Sequence, residues 1–259
     1  KGDTVTCTVT VDDGSNSSSA SDSVSISNTA PSVDGISLSP STVYTNDTVT
    51  ATASTSDADG DSLSLTYDWY VDGSLVQSGT SNTLSGSSYF DKGETIVATM
   101  VASDGTDTDS SSSSGLVVSN TLPTAPSVSI SPSSPTEALH DLNCTISSAS
   151  SDDDGDGISY SFDWTVDGIN FTGHSTSGST STVPAANTSA GETWSCTATP
   201  NDGTGNGSTS SAASVSINSA YAESCLDILN DGYTSDGVYT LNFSNGTSFD
   251  VYCDLTTDG

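Results

Sequence analysis

From Thr48 to Ser54 the chain reads TVTATAS, with the apolar Val49, Ala51 and Ala53 on every second residue. The stretch LTYDWYVDG (65–73) places Tyr67, Trp69 and Val71 in one phase and Asp68 and Tyr70 in the other. In ETIVATMVASDG (94–105) the in-phase residues are Ile96, Ala98 and Met100, and GLVVSN (115–120) adds a further apolar string. A period of two with one apolar face predicts half-buried β-strands. No helical period is sustained over these segments.

The pattern recurs. SDADGDSLSLTYDWYVDG (56–73) is answered by SDDDGDGISYSFDWTVDG (151–168), so Trp164 follows Trp69 at an interval of 95 residues. APSVDGISLSP (30–40) aligns with APSVSISPSSP (125–135), and KGETIVATMVASDGT (92–106) with AGETWSCTATPNDGT (190–204). The opening KGDTVTCTVTVDDGS fits this last block, with Gly2 over Gly93. The chain is therefore read as the tail of one repeat (1–29), two whole repeats (30–123 and 124–219) and an unrelated segment (220–259). Each whole repeat has the length and turn spacing of an immunoglobulin-type sandwich. TVTATAS is then strand B, LTYDWYVDG strand C, ETIVATMVASDG strand F and GLVVSN part of strand G. The expected fold class is all-β: tandem immunoglobulin-like β-sandwiches plus a small disulfide-closed β-hairpin segment.

The five cysteines test this alignment. Cys144 falls on strand B of the second whole repeat, Cys196 on its strand F, and Trp164 on strand C between them. Cys, Trp, Cys in that order is the pattern of a bridge between the sheets with a core Trp against it. In the preceding repeat both cysteines are replaced together, by Val49 and Ala98, as a bonded pair requires. Closing that loop stabilises by about 4 kcal/mol in the chain-entropy model, and structural disulfides place the protein outside the cytosol. Cys7 aligns with Cys196, so its partner is expected on a strand B that precedes residue 1, with a free buried thiol as the competing reading. Antibody-type domains carry Tyr two residues before the strand F Cys. Here the position holds Trp194, Ile96 or Val5, which sets these repeats apart from the antibody family.

Charge narrows the partners. Among 259 residues there are 33 acids against two bases, Lys1 and Lys92, for a net charge of −31. That excludes a phosphate-binding surface for nucleic acid and docking to anionic membranes, and it favours cations. No run approaches the ~20 apolar residues of a membrane span. The chain has no initiator Met and no leader pattern, and is expected to be a processed product or a window of a longer polypeptide.

The acidic loops DADGD (57–61) and DDDGD (152–156) fall between strands B and C. The F–G loops read DDG (12–14), SDG (103–105) and NDG (201–203). In an immunoglobulin-type sandwich both loops lie at the end where the previous domain enters. The expectation is an oxygen-rich Ca²⁺ site there, built from Asp57, Asp59 and Asp61 with Asp104, and from Asp152, Asp154 and Asp156 with Asp202. Solvated Asp-Gly turns are the competing reading. DDDGDG also resembles the first half of an EF-hand or thrombospondin-type loop, whose twelfth position would be Asp163, on a strand. His140 and His174 form no cluster of the kind zinc needs.

Residues 224–259 carry C-x-D-I-L, then G-x-x-x-S-x-G-V-Y-T, then F-x-V-Y-C-D-x-x-T-D-G. This resembles the opening of a fibrinogen C-terminal-like domain, and the resemblance implies a disulfide between Cys225 and Cys253. The residues point to the same pair, since GVYTLNF and SFDVYCD meet at an Asn-Gly turn, a strong hairpin signal. The repeats, through APSV, D-x-D-G-D, D-W-x-V-D-G and G-E-T…D-G-T, resemble the Ig-like or PKD-like modules of long bacterial surface proteins. That resemblance implies an extracellular, non-catalytic, often calcium-dependent architecture.

Eight N-x-[ST] sequons mark candidate glycosylation sites at Asn16, Asn46, Asn143, Asn170, Asn187, Asn206, Asn242 and Asn245, and DSSSSSG (109–115) is a candidate for O-linked sugar. Three functions compete. One is an extracellular fibre or cell-surface stalk, in which residues 1–29 pack with strands from the same longer polypeptide or from a neighbouring copy. Another is an adhesin whose fibrinogen-like head binds carbohydrate or another ligand, with the repeats as spacer. An enzyme is disfavoured, because two histidines, no arginine and no Ser/His/Asp grouping leave little to build a site from. Lysine isopeptide crosslinks are likewise not expected. The expected partners are other copies, flanking domains and glycans.

Overall fold

The computed structural model describes residues 1–219, 222, 224–230, 232–243 and 247–256. It contains two compact units, Lys1–Thr121 and Leu122–Gly259.

The first unit opens with a hairpin, β1 (Thr4–Asp12) and β2 (Ser17–Ser25). There follow β3 (Ser32–Ser39), β4 (Val43–Tyr44), β5 (Thr48–Ser56), β6 (Ser64–Val71), β7 (Ser74–Gly79), β8 (Thr83–Ser85), β9 (Thr95–Ser103), β10 (Thr108–Ser112) and β11 (Leu116–Ser119). One sheet has the order β3-β5-β8, and the facing one β4-β11-β9-β6-β7, with β10 also on β9. Strands B, C and F of the sequence reading are β5, β6 and β9. Their in-phase residues Val49, Ala51, Trp69, Ile96, Ala98 and Met100 are fully buried in one core. Strand G is split: Ser113 leaves the ladder and its Oγ accepts the Ala98 N–H at 3.1 Å.

The second unit contains β12 (Ser127–Ser131), β13 (Leu142–Ser148), β14 (Ser159–Val166), β15 (Ile169–Phe171), β16 (Ser175–Ser177), β17 (Thr180–Val183), β18 (Thr193–Asn201) and β19 (Ala213–Ser216). Its sheets are β12-β13-β17-β16 and β15-β14-β18-β19. The extra strand β16, on the sheet of β13, has no counterpart in the first unit. The Cys144–Cys196 disulfide links β13 to β18. Trp164 and Trp194 pack beside it, edge to face with centroids 6.3 Å apart.

In both sandwiches the Val-Asp-Gly that ends strand C makes a tight turn. Asp72 and Asp167 take φ of 46° and 50°, and Gly73 and Gly168 φ of 77° and 81°, the left-handed pair that suits a two-residue hairpin loop. The aspartate then does a second job: Asp72 Oδ1 accepts the Thr95 N–H, and Asp167 Oδ1 the Thr193 N–H, both at 2.9 Å. This recurrence of V-D-G is explained by the turn tying strand C to the head of strand F.

The last segment holds a short helix, Cys225–Asn230, and the antiparallel pair β20 (Gly237–Asn242) and β21 (Ser248–Cys253). Cys225 and Cys253 are bonded. The Asn-Gly turn expected at 245–246, and with it the Asn245 sequon, lies outside the described residues. Among the described residues no helix is long and apolar enough to cross a membrane.

Candidate functional site

The two B–C loops are built alike. Asp57 Oδ1 accepts the N–H groups of Asp59 and Asp61, at 2.9 and 3.1 Å, while its carbonyl accepts the Gly60 N–H. Asp152 repeats this with Asp154, Asp156 and Gly155. Gly60 and Gly155 both sit at φ 75°, a conformation that glycine adopts without strain. The leading aspartate thus folds the loop with one carboxylate oxygen. The other oxygen, Asp57 Oδ2 or Asp152 Oδ2, is buried and accepts no hydrogen bond.

Around these oxygens the structure groups some of the expected ligands and leaves others aside. Asp57, Asp61 and Asp104 each bring a carboxylate oxygen within 4.8 Å of the other two, as do Asp152, Asp154 and Asp156. That spacing matches oxygens on the shell of one ion bound at about 2.4 Å. Asp59 stands outside the first group, one of its oxygens accepting the Thr29 N–H at 2.7 Å. Asp202 stands outside the second, nearly buried, with Oδ1 closing its own turn on Thr204 and Gly205. Asp163 lies exposed on β14, so the EF-hand-like loop geometry does not form.

Two residues at the first cluster were not anticipated. The Lys1 ammonium pairs with Asp61, and this hydrogen bond together with the nearby Asp104 and Asp59 charges raises the lysine pKa. Asn28 Nδ2 donates to Asp104 and Asp107, at 2.9 and 2.7 Å, and its Oδ1 is a further buried oxygen without a hydrogen bond. The Asp104 pKa is lowered to about 2, chiefly by the Asp107 N–H, then by Asn28 and the Thr106 N–H. The first cluster therefore gathers the end of the hairpin (Lys1, Asn28, Thr29) and both loops of the following sandwich. The S-N-T that recurs at 27–29 and 119–121, at the end of each strand G, was the available signal for Asn28. In the second unit the Thr124 N–H meets the Ser151 carbonyl instead.

The residues fit a hard divalent cation. All the donors are oxygens, the loops are glycine-hinged, and Asp57 Oδ2 and Asp152 Oδ2 are buried without a hydrogen bond. Neither histidine joins them: His140 Nδ1 accepts the Thr136 N–H, and His174 contacts Ser181 Oγ.

The sequons divide by exposure. Asn16, Asn46, Asn170, Asn187, Asn206 and Asn242 are exposed. Asn143 lies on the inner strand β13, and its Oδ1 accepts the Thr182 hydroxyl at 2.8 Å.

No protein-family model matches the chain, and no curated protein does. Among solved structures it is similar to the FN domains of chicken CNTN1, with 14% identity over 83% of this chain and 73% of that one (TM-score 0.34). It is similar to domains from titin, with 14% identity over 84% and 75% (TM-score 0.32). It also resembles the N-terminal eight Ig domains of Down Syndrome Cell Adhesion Molecule, with 16% identity over 90% of this chain and 29% of that one (TM-score 0.37).

Proposed function

We infer that the chain is a stretch of a non-enzymatic extracellular protein, a fibre or cell-surface stalk of tandem sandwiches stiffened by Ca²⁺. One observation carries this reading: each B–C loop holds a buried aspartate oxygen with no hydrogen bond inside a three-carboxylate cluster. In the first unit that cluster lies where the preceding hairpin meets the sandwich, through Thr29 and Asn28. A cation there neutralises repulsion among the carboxylates and fixes the joint. Flanking domains or other copies complete the rod, and sugars on the exposed sequons coat it.

Calcium titration calorimetry, with thermal unfolding in Ca²⁺, Mg²⁺ and chelator, tests the reading. A Ca²⁺-specific rise in unfolding temperature is expected. Equal curves in all three conditions would remove calcium and leave the loops as solvated turns. Electron microscopy of native material with and without chelator then separates a softened fibre from an indifferent one.

A second reading, the adhesin, is favoured by the Cys225–Cys253 bridge and its hairpin, which agree with the fibrinogen-like resemblance. Binding of native material to a glycan array, lost on removal of the disulfide-closed segment, would support it over the stalk.

A further inference from the structure

The β1–β2 hairpin is one half of a sandwich. It is closed at its base as the later F–G pairs are. The Gly2 N–H meets the Ile26 carbonyl, as the Gly93 N–H meets that of Val118 and the Gly191 N–H that of Ile217. Its two faces differ. On one, Thr6, Thr8 and Thr10 share hydrogen bonds with Ser23, Ser21 and Ser19. The other carries Val5, Cys7, Val9 and Val11, with Val24 across from Val5.

That second face is bare. Val5, Val9, Val11 and Val24 are 56 to 68% exposed, Ile26 is 42% exposed, and Cys7 is an exposed free thiol. The positions matching Val5, Cys7, Val9, Val11 and Ile26 in the first whole sandwich are Ile96, Ala98, Met100, Ala102 and Val118, none above 2% exposure, and Leu116, matching Val24, is part-buried against the same core. In the second, Trp194, Cys196, Ala198 and Ile217 are equally buried. There the cover is the four-stranded sheet with β13 as an inner strand, and Cys196 bonds Cys144 on it. Asp22, opposite Cys7, lies within the unbroken ladder, and its Oδ1 accepts the Ser23 N–H at 2.9 Å.

We propose that the Val5–Cys7–Val9–Val11 face is covered by a sheet of the same repeat type, lying upstream in the same polypeptide, whose strand B bears a cysteine disulfide-bonded to Cys7. The bond forms by two-electron oxidation of two thiols, with loss of two protons, to a thiol oxidant of the secretory compartment. The source is the same polypeptide because each face in this chain is covered by the strand B preceding it, 49 residues upstream for Ala98 and 52 for Cys196. This inference rests on the tandem-sandwich reading and is independent of calcium.

Mass spectrometry of native material, digested without reduction, tests it. The expected product joins the Cys7 peptide to a strand of alternating apolar residues about 50 positions upstream, in keeping with the two intervals in this chain. A free Cys7, a Cys7–Cys7 bridge or a bond to another polypeptide would overturn the proposal. A chimera supplies a second readout: a copy of residues 124–190 is fused directly upstream of Gly2, so that the copied Cys144 can reach Cys7. Loss of the Cys7 thiol and slowed amide exchange at Val9 are expected; a Cys7 that stays fully reactive in the folded chimera would also overturn it. A silent calcium titration beside a bonded Cys7 would sink the cation reading alone.

Discussion

Trp164 stands directly opposite Cys196 across β14 and β18, and its indole N–H reaches the Ser181 hydroxyl at 3.0 Å. The first sandwich holds the same relationship between Trp69 and Ala98, with the Trp69 indole on the Ser81 carbonyl. The tryptophan is thus the constant element of the core, and the disulfide is an addition to it.

That difference predicts unequal responses to reduction. Replacing Cys144 by Val and Cys196 by Ala, the pair found in the first sandwich, opens a 52-residue loop. The second unit is expected to lose about 2–5 kcal/mol and to keep its fold, because the tryptophan remains seated. Denaturant unfolding followed by tryptophan fluorescence should show the first unit unmoved.

At the first acidic cluster, Lys1 competes with any cation for Asp61. Both side chains remain open to water, so solvent screening keeps the pair weak. Lys1→Gln is expected to tighten Ca²⁺ binding at this cluster measurably while leaving the second cluster unchanged. Asp57→Asn should abolish binding at the first cluster and Asp152→Asn at the second, each read by calorimetry.

Acid should loosen the hairpin from the first sandwich. The Asp104 pKa falls from 3.8 unfolded to about 2 folded, held down by N–H donors of its own loop and by Asn28. A depressed carboxylate stabilises above its unfolded pKa, and that contribution is lost as pH falls through the folded value. Carboxyl chemical shifts should therefore place the Asp104 midpoint near 2. In Asn28→Ala the midpoint should move upward.

Sugar should follow exposure. In native material Asn16, Asn46, Asn170, Asn187, Asn206 and Asn242 are expected to carry glycan, whereas Asn143 stays bare because its carboxamide is engaged within the sheet. Enzymatic deglycosylation in heavy-oxygen water would mark each occupied asparagine, and a marked Asn143 would contradict this.

The sandwich cores were legible because alternation is a backbone property: Val49, Trp69, Ile96 and Met100 face inward by strand period alone. The bridge between Cys144 and Cys196 was legible through a repeat that lacks both cysteines. The ligand sets were less so. Asp59 and Asp202 share the residue type of the grouped aspartates and, like Asp57 and Asp104, each turns one oxygen to a backbone N–H, yet both fall outside the clusters. Which carboxylates converge depends on torsions that spacing does not encode. Strand β16, found in one sandwich only, escaped for a similar reason: Ser175–Ser177 shows no apolar alternation.

The Thr–Ser rungs of the first hairpin have a consequence for folding accuracy. Threonine repeats every second residue on β1, and serine on much of β2. A slip of two residues would therefore re-form most rungs, and the exposed valines would not resist it. What fixes the reading frame is the loop, where Asp13 Oδ1 holds the N–H groups of Ser15 and Asn16 at 2.9 and 2.8 Å. Asp13 is the pawl of a ratchet whose teeth are evenly spaced.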